Sequence, residues 1–171
     1  MTVFSPYRLA AASIAFLLAV TPLAAAELAA PKGEVILTVD GSIATTNTAG
    51  AADFDIAMLE AMPKATVKTT TPWTEGVTTF EGVPLKDLLA AVGASGTTIS
   101  ATALNDYAAP LPAADAQTGA IVAYRMNGEY MSVRGKGPLW IIYPFDERPE
   151  LKAEAIYARS IWQLRKMTLS Q

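Results

Sequence analysis

A chain of 171 residues with no cysteine and no histidine has to fold, and act, with a restricted chemical kit. No disulfide can staple it, so packing and hydrogen bonds must hold it together. Thiolate and imidazole metal ligands are missing, as is the usual general base of neutral-pH catalysis. Serines and threonines are plentiful, but a hydroxyl nucleophile needs a positioned base, and no motif supplies one.

The first residues set the compartment. Arg8 precedes an apolar run from Leu9 to Val20, then Pro22 and the small residues Ala24 and Ala26, the plan of a secretory signal peptide. That run is shorter than the roughly 18 apolar residues a spanning helix needs. The expectation is a leader over residues 1–26 and one domain over 27–171, exported to a bacterial periplasm and not inserted in the membrane. About 145 residues suffice for a single hydrophobic core. The formal charge is −3 and no basic run tracks phosphates, so nucleic acid is not the expected partner.

Patterning predicts a β-rich α+β domain with a few short helices. Strands are expected at Glu34 to Asp40 (EVILTVD), in ATVKTTT, in TTISATAL, in PLWIIYP and in SIWQLRKMTL. AIVAYRMNGEYMSV reads as a hairpin turned at Asn127-Gly128, a dipeptide that accepts positive φ. A short helix is expected in DFDIAMLEAMP, capped by Asp53 or Asp55 and stopped by Pro63. Pro84 opens a second, with Leu85, Leu88, Leu89 and Val92 on one face and Gly93 at its end. PELKAEAIYA suggests a third. The segments KTTTPWTEGVTTFEG and NDYAAPLPAAD read as polar or proline-broken loops.

Several side chains in those loops suit binding better than catalysis: Trp73 and Glu75, then Asn105, Asp106 and Tyr107, then Arg134 and Lys136, then Asp146 and Arg148. Each has a plainer role open to it, such as Arg148 pairing with Glu150 at the surface. Trp140 and Trp162 fall in apolar strand patterns and are expected in the core. The acid pairs Asp53/Asp55 and Asp146/Glu147 are explained by a cap or a solvated turn, and GKGP at Gly135 to Pro138 by a turn leading into a strand.

The order of these pieces carries more than any one of them. W-x-x-G at Trp73, FEGVPLKDLL, the Asp106-Tyr107 loop before Leu111-Pro112, MNGEY at Met126 to Tyr130 and GPLWIIYP at Gly137 to Pro144 together resemble the sulfite-oxidase-fold domain of molybdopterin-dependent oxidoreductases. In that family a cysteine just upstream of the tryptophan gives its thiolate to molybdenum. Here the matching place is KTTTPW, so one of Thr69 to Thr71 stands there, and a hydroxyl is no substitute for a soft anionic ligand. The family's histidine-glycine is also missing, with Arg134-Gly135 and Lys136-Gly137 in its neighbourhood.

With PFDERPEL and YARSIWQLRKM, the chain is also similar to small exported pterin-binding proteins of PruR type. That resemblance implies a reduced pterin as ligand, no protein-held metal, and a partner in the periplasmic part of an inner-membrane enzyme controlling cyclic di-GMP. A pterin's aminopyrimidinone edge offers two adjacent donors that one carboxylate can accept. The expected ring contacts are Trp73 or Tyr107, and the expected carboxylate is Glu75 or Asp106. Asn105 lies beside them, and Arg134, Lys136 and Arg148 are candidates for the carbonyl, ring nitrogens or tail. Two alternatives stand beside this: an oxidoreductase carrying the complete molybdenum cofactor, and a ligand-free docking module.

Overall fold

The computed structural model describes Met1 and residues 28–171; apart from Met1, the expected leader, residues 1–26, lies outside the described residues. Among the described residues, no helix is long and apolar enough to cross a membrane.

The described residues form ten strands in two five-stranded sheets. The first sheet contains β1 (Leu37–Gly41), β2 (Ala51–Phe54), β5 (Thr98–Ala103), β6 (Ala108–Pro112) and β10 (Leu164–Ser170), in the order β2-β1-β10-β5-β6. The C-terminal strand β10 sits at its centre, parallel to β1 and antiparallel to β5. The second sheet runs β3 (Ala65–Thr69), β4 (Thr78–Pro84), β7 (Ile121–Met126) and β8 (Glu129–Tyr130), with β9 (Trp140–Ile142) also on β7. β8 pairs with the C-terminal end of β7 and β9 with its N-terminal end.

The helices are short: α1 (Ile56–Ala61), α2 (Leu85–Ala91) and α3 (Glu154–Tyr157). Asp55, not Asp53, caps α1, its carboxylate accepting from the Met58 N–H at 2.8 Å. Three backbone N–H groups, those of Met58, Gly33 and Lys32, hold the Asp55 carboxyl below its usual pKa. Asp53 lies in β2 and accepts from the Thr38 hydroxyl. In α2, Leu85, Leu88 and Leu89 are buried as their spacing requires, and Gly93 follows at φ +59°. The Asn127-Gly128 turn has both residues at positive φ, which a tight hairpin demands.

Three strands lie where loops or a helix were expected. Ala51–Phe54 forms β2, because four residues of alternating burial against β1 outweigh the helical spacing further along. Thr78–Pro84 forms β4, which pairs with β3 and leaves residues 70–77 as the hairpin loop that carries Trp73. Ala108–Pro112 forms β6 despite two prolines. They are tolerated because β6 is an edge strand, exposing Pro110 and Pro112 while Ala109 and Leu111 are buried.

The core has two compartments. The larger gathers the first sheet, α2 and the inner residues of β7 and β9, including Val122, Tyr124 and Ile141. The smaller consists of Val67, Phe80, Ile121, Ala123, Met131, Trp140 and Ile142, with Trp73 packed on it. Alternate residues of β7 and β9 thus serve different compartments, so these strands read as continuous apolar runs. On β4, Phe80 faces the smaller compartment and Val83 the larger, as strand alternation requires of residues three apart, while the bulge opposite Glu81 and Gly82 lies on β7 at Tyr124.

Gly82 marks the closest approach in that sheet: a Cβ there would lie 2.1 Å from the Val122 carbonyl oxygen and 2.5 Å from Ala123 Cα. The near atoms are all β7 backbone, which leaves nothing flexible to give way. Gly82→Ala is expected to destabilise the protein by about 1–3 kcal/mol, the usual range for an overpacked interior, seen as a lower urea midpoint. An unchanged midpoint would show that the sheet relaxes around the added carbon.

A candidate aromatic binding cleft

Four aromatic side chains stand around one cleft of about 490 Å³, lined by Trp73, Ala103, Asn105, Tyr107, Glu154, Tyr157, Ala158, Ser160, Ile161 and Trp162. Three segments meet there: the β3–β4 hairpin loop supplies Trp73, the end of β5 and the β5–β6 turn supply Ala103, Asn105 and Tyr107, and the stretch from α3 to β10 supplies the rest.

Each segment is held by local chemistry. In the hairpin loop the Thr71 hydroxyl accepts from the Trp73 N–H at 3.1 Å and pairs with the Thr74 hydroxyl at 2.8 Å. In the β5–β6 turn Asn105 Oδ1 accepts from the Tyr107 N–H, and Asp106 sits at φ +65°. The third segment is fastened to β9: Trp140 Nε1 donates to the Ser160 carbonyl at 3.1 Å, and the Ile141 N–H to the Ile161 carbonyl at 3.0 Å.

Trp73 is the hub. Its ring centroid lies 5.9 Å from Trp140, 5.8 Å from Tyr157 and 5.6 Å from Trp162, all in tilted or edge-on geometry. Lys136 Nζ sits 4.6 Å from the centroid of Trp162, a cation over an indole. The cleft thus has flat apolar walls and few polar groups, the composition of a small-molecule site.

Of the side chains singled out in the sequence, the structure brings Trp73, Asn105 and Tyr107 together in this cleft. Glu75 is exposed in the same loop as Trp73 but does not line the cleft, and Asp106 is exposed and ion-paired to Arg165. Arg134 is exposed, Lys136 covers Trp162, and Arg148 pairs with Glu150 at 2.9 Å. Trp140 is fully buried as expected, but Trp162 is not a core residue: it is 37% exposed, precedes β10 and forms a cleft wall. Its apolar neighbours suggested a strand interior, whereas the chain turns at Gln163, which has φ +52°.

Glu154, Tyr157 and Ser160 are contributed by a segment whose sequence read only as a helix running into a strand. The cleft carboxylate is Glu154, in the first turn of α3, and it makes no side-chain hydrogen bond or ion pair among the described residues. Two aromatics flanking a serine in the Tyr157–Trp162 stretch were the legible sign.

The threonines at the expected metal position are fully engaged. Thr69 is buried; its hydroxyl donates to the Thr70 carbonyl and accepts from the Asp146 N–H at 3.1 Å. Thr70 donates twice to the Asp146 carboxylate, through its N–H at 2.7 Å and its hydroxyl at 2.8 Å. Lys152 Nζ stands 2.7 Å from the same carboxylate. Asp146 is therefore not a merely solvated turn residue but a clamp between the β3–β4 loop and the chain after β9. The donor set here is hydroxyl and carboxylate already hydrogen-bonded within the protein, and it does not fit a molybdenum centre that needs a free thiolate. Among the described residues, no three His, Cys, Asp or Glu side chains cluster as a metal site.

With the fold and cleft in place, comparison with known proteins gives the class. The family model described as "Oxidoreductase molybdopterin binding domain" matches residues 36–145. The chain belongs to this family. Among solved structures, it is similar to the sulfane dehydrogenase SoxCD from Paracoccus pantotrophus, with a TM-score of 0.59 and 18% identity. The match covers 78% of this chain and only 37% of that one, so this chain spans well under half of the relative's length. No curated protein sequence matches the chain.

The Asp146 clamp has a pH signature. The Lys152 ammonium, then the Thr70 hydroxyl and N–H, hold the Asp146 carboxyl down to about 2. A carboxyl depressed on folding adds stability above its unfolded pKa of 3.8, and that stability is lost as pH falls toward the folded value. Asp146→Asn is expected to be less stable than wild type near neutrality, with the gap closing between about pH 4 and pH 2. Urea midpoints across that range check it; a gap independent of pH would assign the loss to packing.

Proposed function

We propose that this protein binds a reduced pterin in the aromatic cleft and works as a non-enzymatic binding protein. The observation that carries the reading is a cleft of pterin size with Trp73, Tyr107, Tyr157 and Trp162 around it, in a family defined by molybdopterin binding, beside threonines where a metal thiolate would be needed. Stacking on an indole or phenol contributes about 0.5–1.5 kcal/mol per ring contact. Glu154 takes the role the sequence reading gave to Glu75 or Asp106, accepting from the amine and ring N–H of the aminopyrimidinone edge. Charge-assisted hydrogen bonds of this kind contribute about 1.5–3 kcal/mol each, toward the low end at an exposed rim. Asn105 offers both a donor and an acceptor to the remaining ring positions. Lys136, over Trp162, is the basic group best placed for a hydroxylated tail.

In this reading the protein works in the periplasm and relays pterin occupancy to the periplasmic part of an inner-membrane enzyme that controls cyclic di-GMP. The support for location and partner is the leader-like start and the motif order shared with small exported pterin-binding proteins. A second reading, an oxidoreductase that takes up the whole molybdenum cofactor through the cofactor's own dithiolene, is favoured by the family match.

Calorimetric titration of the purified protein with dihydrobiopterin tests the first reading. Trp73→Ala and Glu154→Gln are each expected to weaken binding by about tenfold, with both variants folded by circular dichroism. Wild-type affinity in both variants would move the site elsewhere, and stoichiometric molybdenum in protein purified from its native compartment would favour the enzyme.

A further inference from the structure

Ser160 lines the cleft, is only 2% exposed, and its hydroxyl has no hydrogen-bond partner among the described residues. Folded proteins pair nearly all buried polar atoms, so each exception calls for a reason. Asp40 Oδ1 is the other such atom among the described residues, and there the reason is at hand: its sister oxygen holds the Lys166 ammonium at 2.8 Å. Ser160 has no comparable partner.

The residue is also held rigidly. Its N–H donates to the Tyr157 carbonyl at 3.0 Å, and its carbonyl accepts from Trp140 Nε1 at 3.1 Å. Arg159 beside it is anchored on Asp115 at 3.1 Å, and Asp115 also accepts from the buried Tyr143 hydroxyl at 2.8 Å. Trp140, the donor to Ser160, is itself fully buried. The serine backbone is therefore fixed, and rotation of its side chain is what brings the hydroxyl, with less than 1 Å² of its surface exposed, to a ligand in the cleft.

We infer that the Ser160 hydroxyl is a ligand-recognition group, the buried polar contact of the cleft. A hydroxyl donates one hydrogen bond and accepts others, so it can pair with a ring nitrogen, ring N–H or carbonyl of a flat heterocycle. A carboxylate such as Glu154 only accepts. The two together select a ligand that is polar on more than one edge and flat enough for the aromatic walls; a plain aromatic hydrocarbon would leave the hydroxyl unpaired. This assignment rests on the pterin reading and names the residue within it that decides specificity.

The test compares Ser160→Ala with wild type by thermal unfolding of the ligand-free protein and by calorimetric titration with dihydrobiopterin. The expected result is a Tm equal to or above wild type, because an unpaired buried hydroxyl is removed, together with an affinity loss of about tenfold. Ser160→Cys, a near-isostere with a weaker hydrogen-bonding group, is expected between the two. Wild-type affinity in Ser160→Ala overturns this inference and leaves the pterin reading standing. An affinity loss matched by a fall in Tm marks a structural serine and overturns it too. A wild-type protein that takes up no pterin overturns the reading and, with it, the assignment.

Discussion

The strap between β9 and the chain entering β10 is the joint on which the rest depends. β9 belongs to the second sheet through β7, yet its other edge is fastened to residues 160–164 by the Trp140 indole N–H on the Ser160 carbonyl, the Ile141 N–H on the Ile161 carbonyl and the Leu164 N–H on the Leu139 carbonyl. Leu164 then begins β10, the central strand of the first sheet. These hydrogen bonds couple the two sheets along this edge. Gln163 makes the turn with a positive φ, and its N–H is met by the Lys136 carbonyl at 2.9 Å.

The cleft follows from that joint. Because residues 160–164 are pinned along β9, Trp162 cannot be drawn into either core compartment, and Trp140 is fully enclosed between them and Phe80. Trp73, arriving on the hairpin loop, then packs on Trp140 and Trp162 and turns toward Tyr157. The Thr69, Thr70 and Asp146 hydrogen bonds set the position of the loop from which it projects. A binding surface assembled this way needs little rearrangement to accept a flat ring, since its walls are fixed by the same contacts that hold the sheets together.

Much of this was legible in the sequence, and the failures have physical causes. Local rules found α2, because Pro84, a leucine face and Gly93 act within one helix. They also found the β7–β8 turn, because Asn-Gly specifies its own geometry. They missed β6, since proline excludes a residue from a strand only when both edges are paired, and edge position is a property of the whole sheet. They missed β4, because Gly82 and Pro84 read as loop residues, and only the close approach of β7 shows why a glycine stands inside the strand. In the site, Trp73, Asn105 and Tyr107 stood out as aromatic or polar groups in loops. Glu154, Tyr157 and Ser160 did not, because what makes them neighbours of Trp73 is the strap on β9, an interaction between residues twenty positions apart.

The same reasoning bears on what replaced the metal position. A thiolate ligand must keep its charge and an open coordination direction, so its surroundings have to leave it unsatisfied by the protein. Thr69 and Thr70 show the opposite arrangement: the Thr69 hydroxyl both donates and accepts within the protein, and the two donors of Thr70 are taken by a carboxylate that is itself neutralised by Lys152. A chain that had merely lost a cysteine would leave a gap or an idle hydroxyl there. Here the hydroxyls close a network that steadies the Trp73 loop, while an unpaired buried hydroxyl belongs to Ser160, in the lining of the cleft. The donors at the expected metal position are thus taken up within the protein, and the cleft lining is where a hydroxyl is left without a partner.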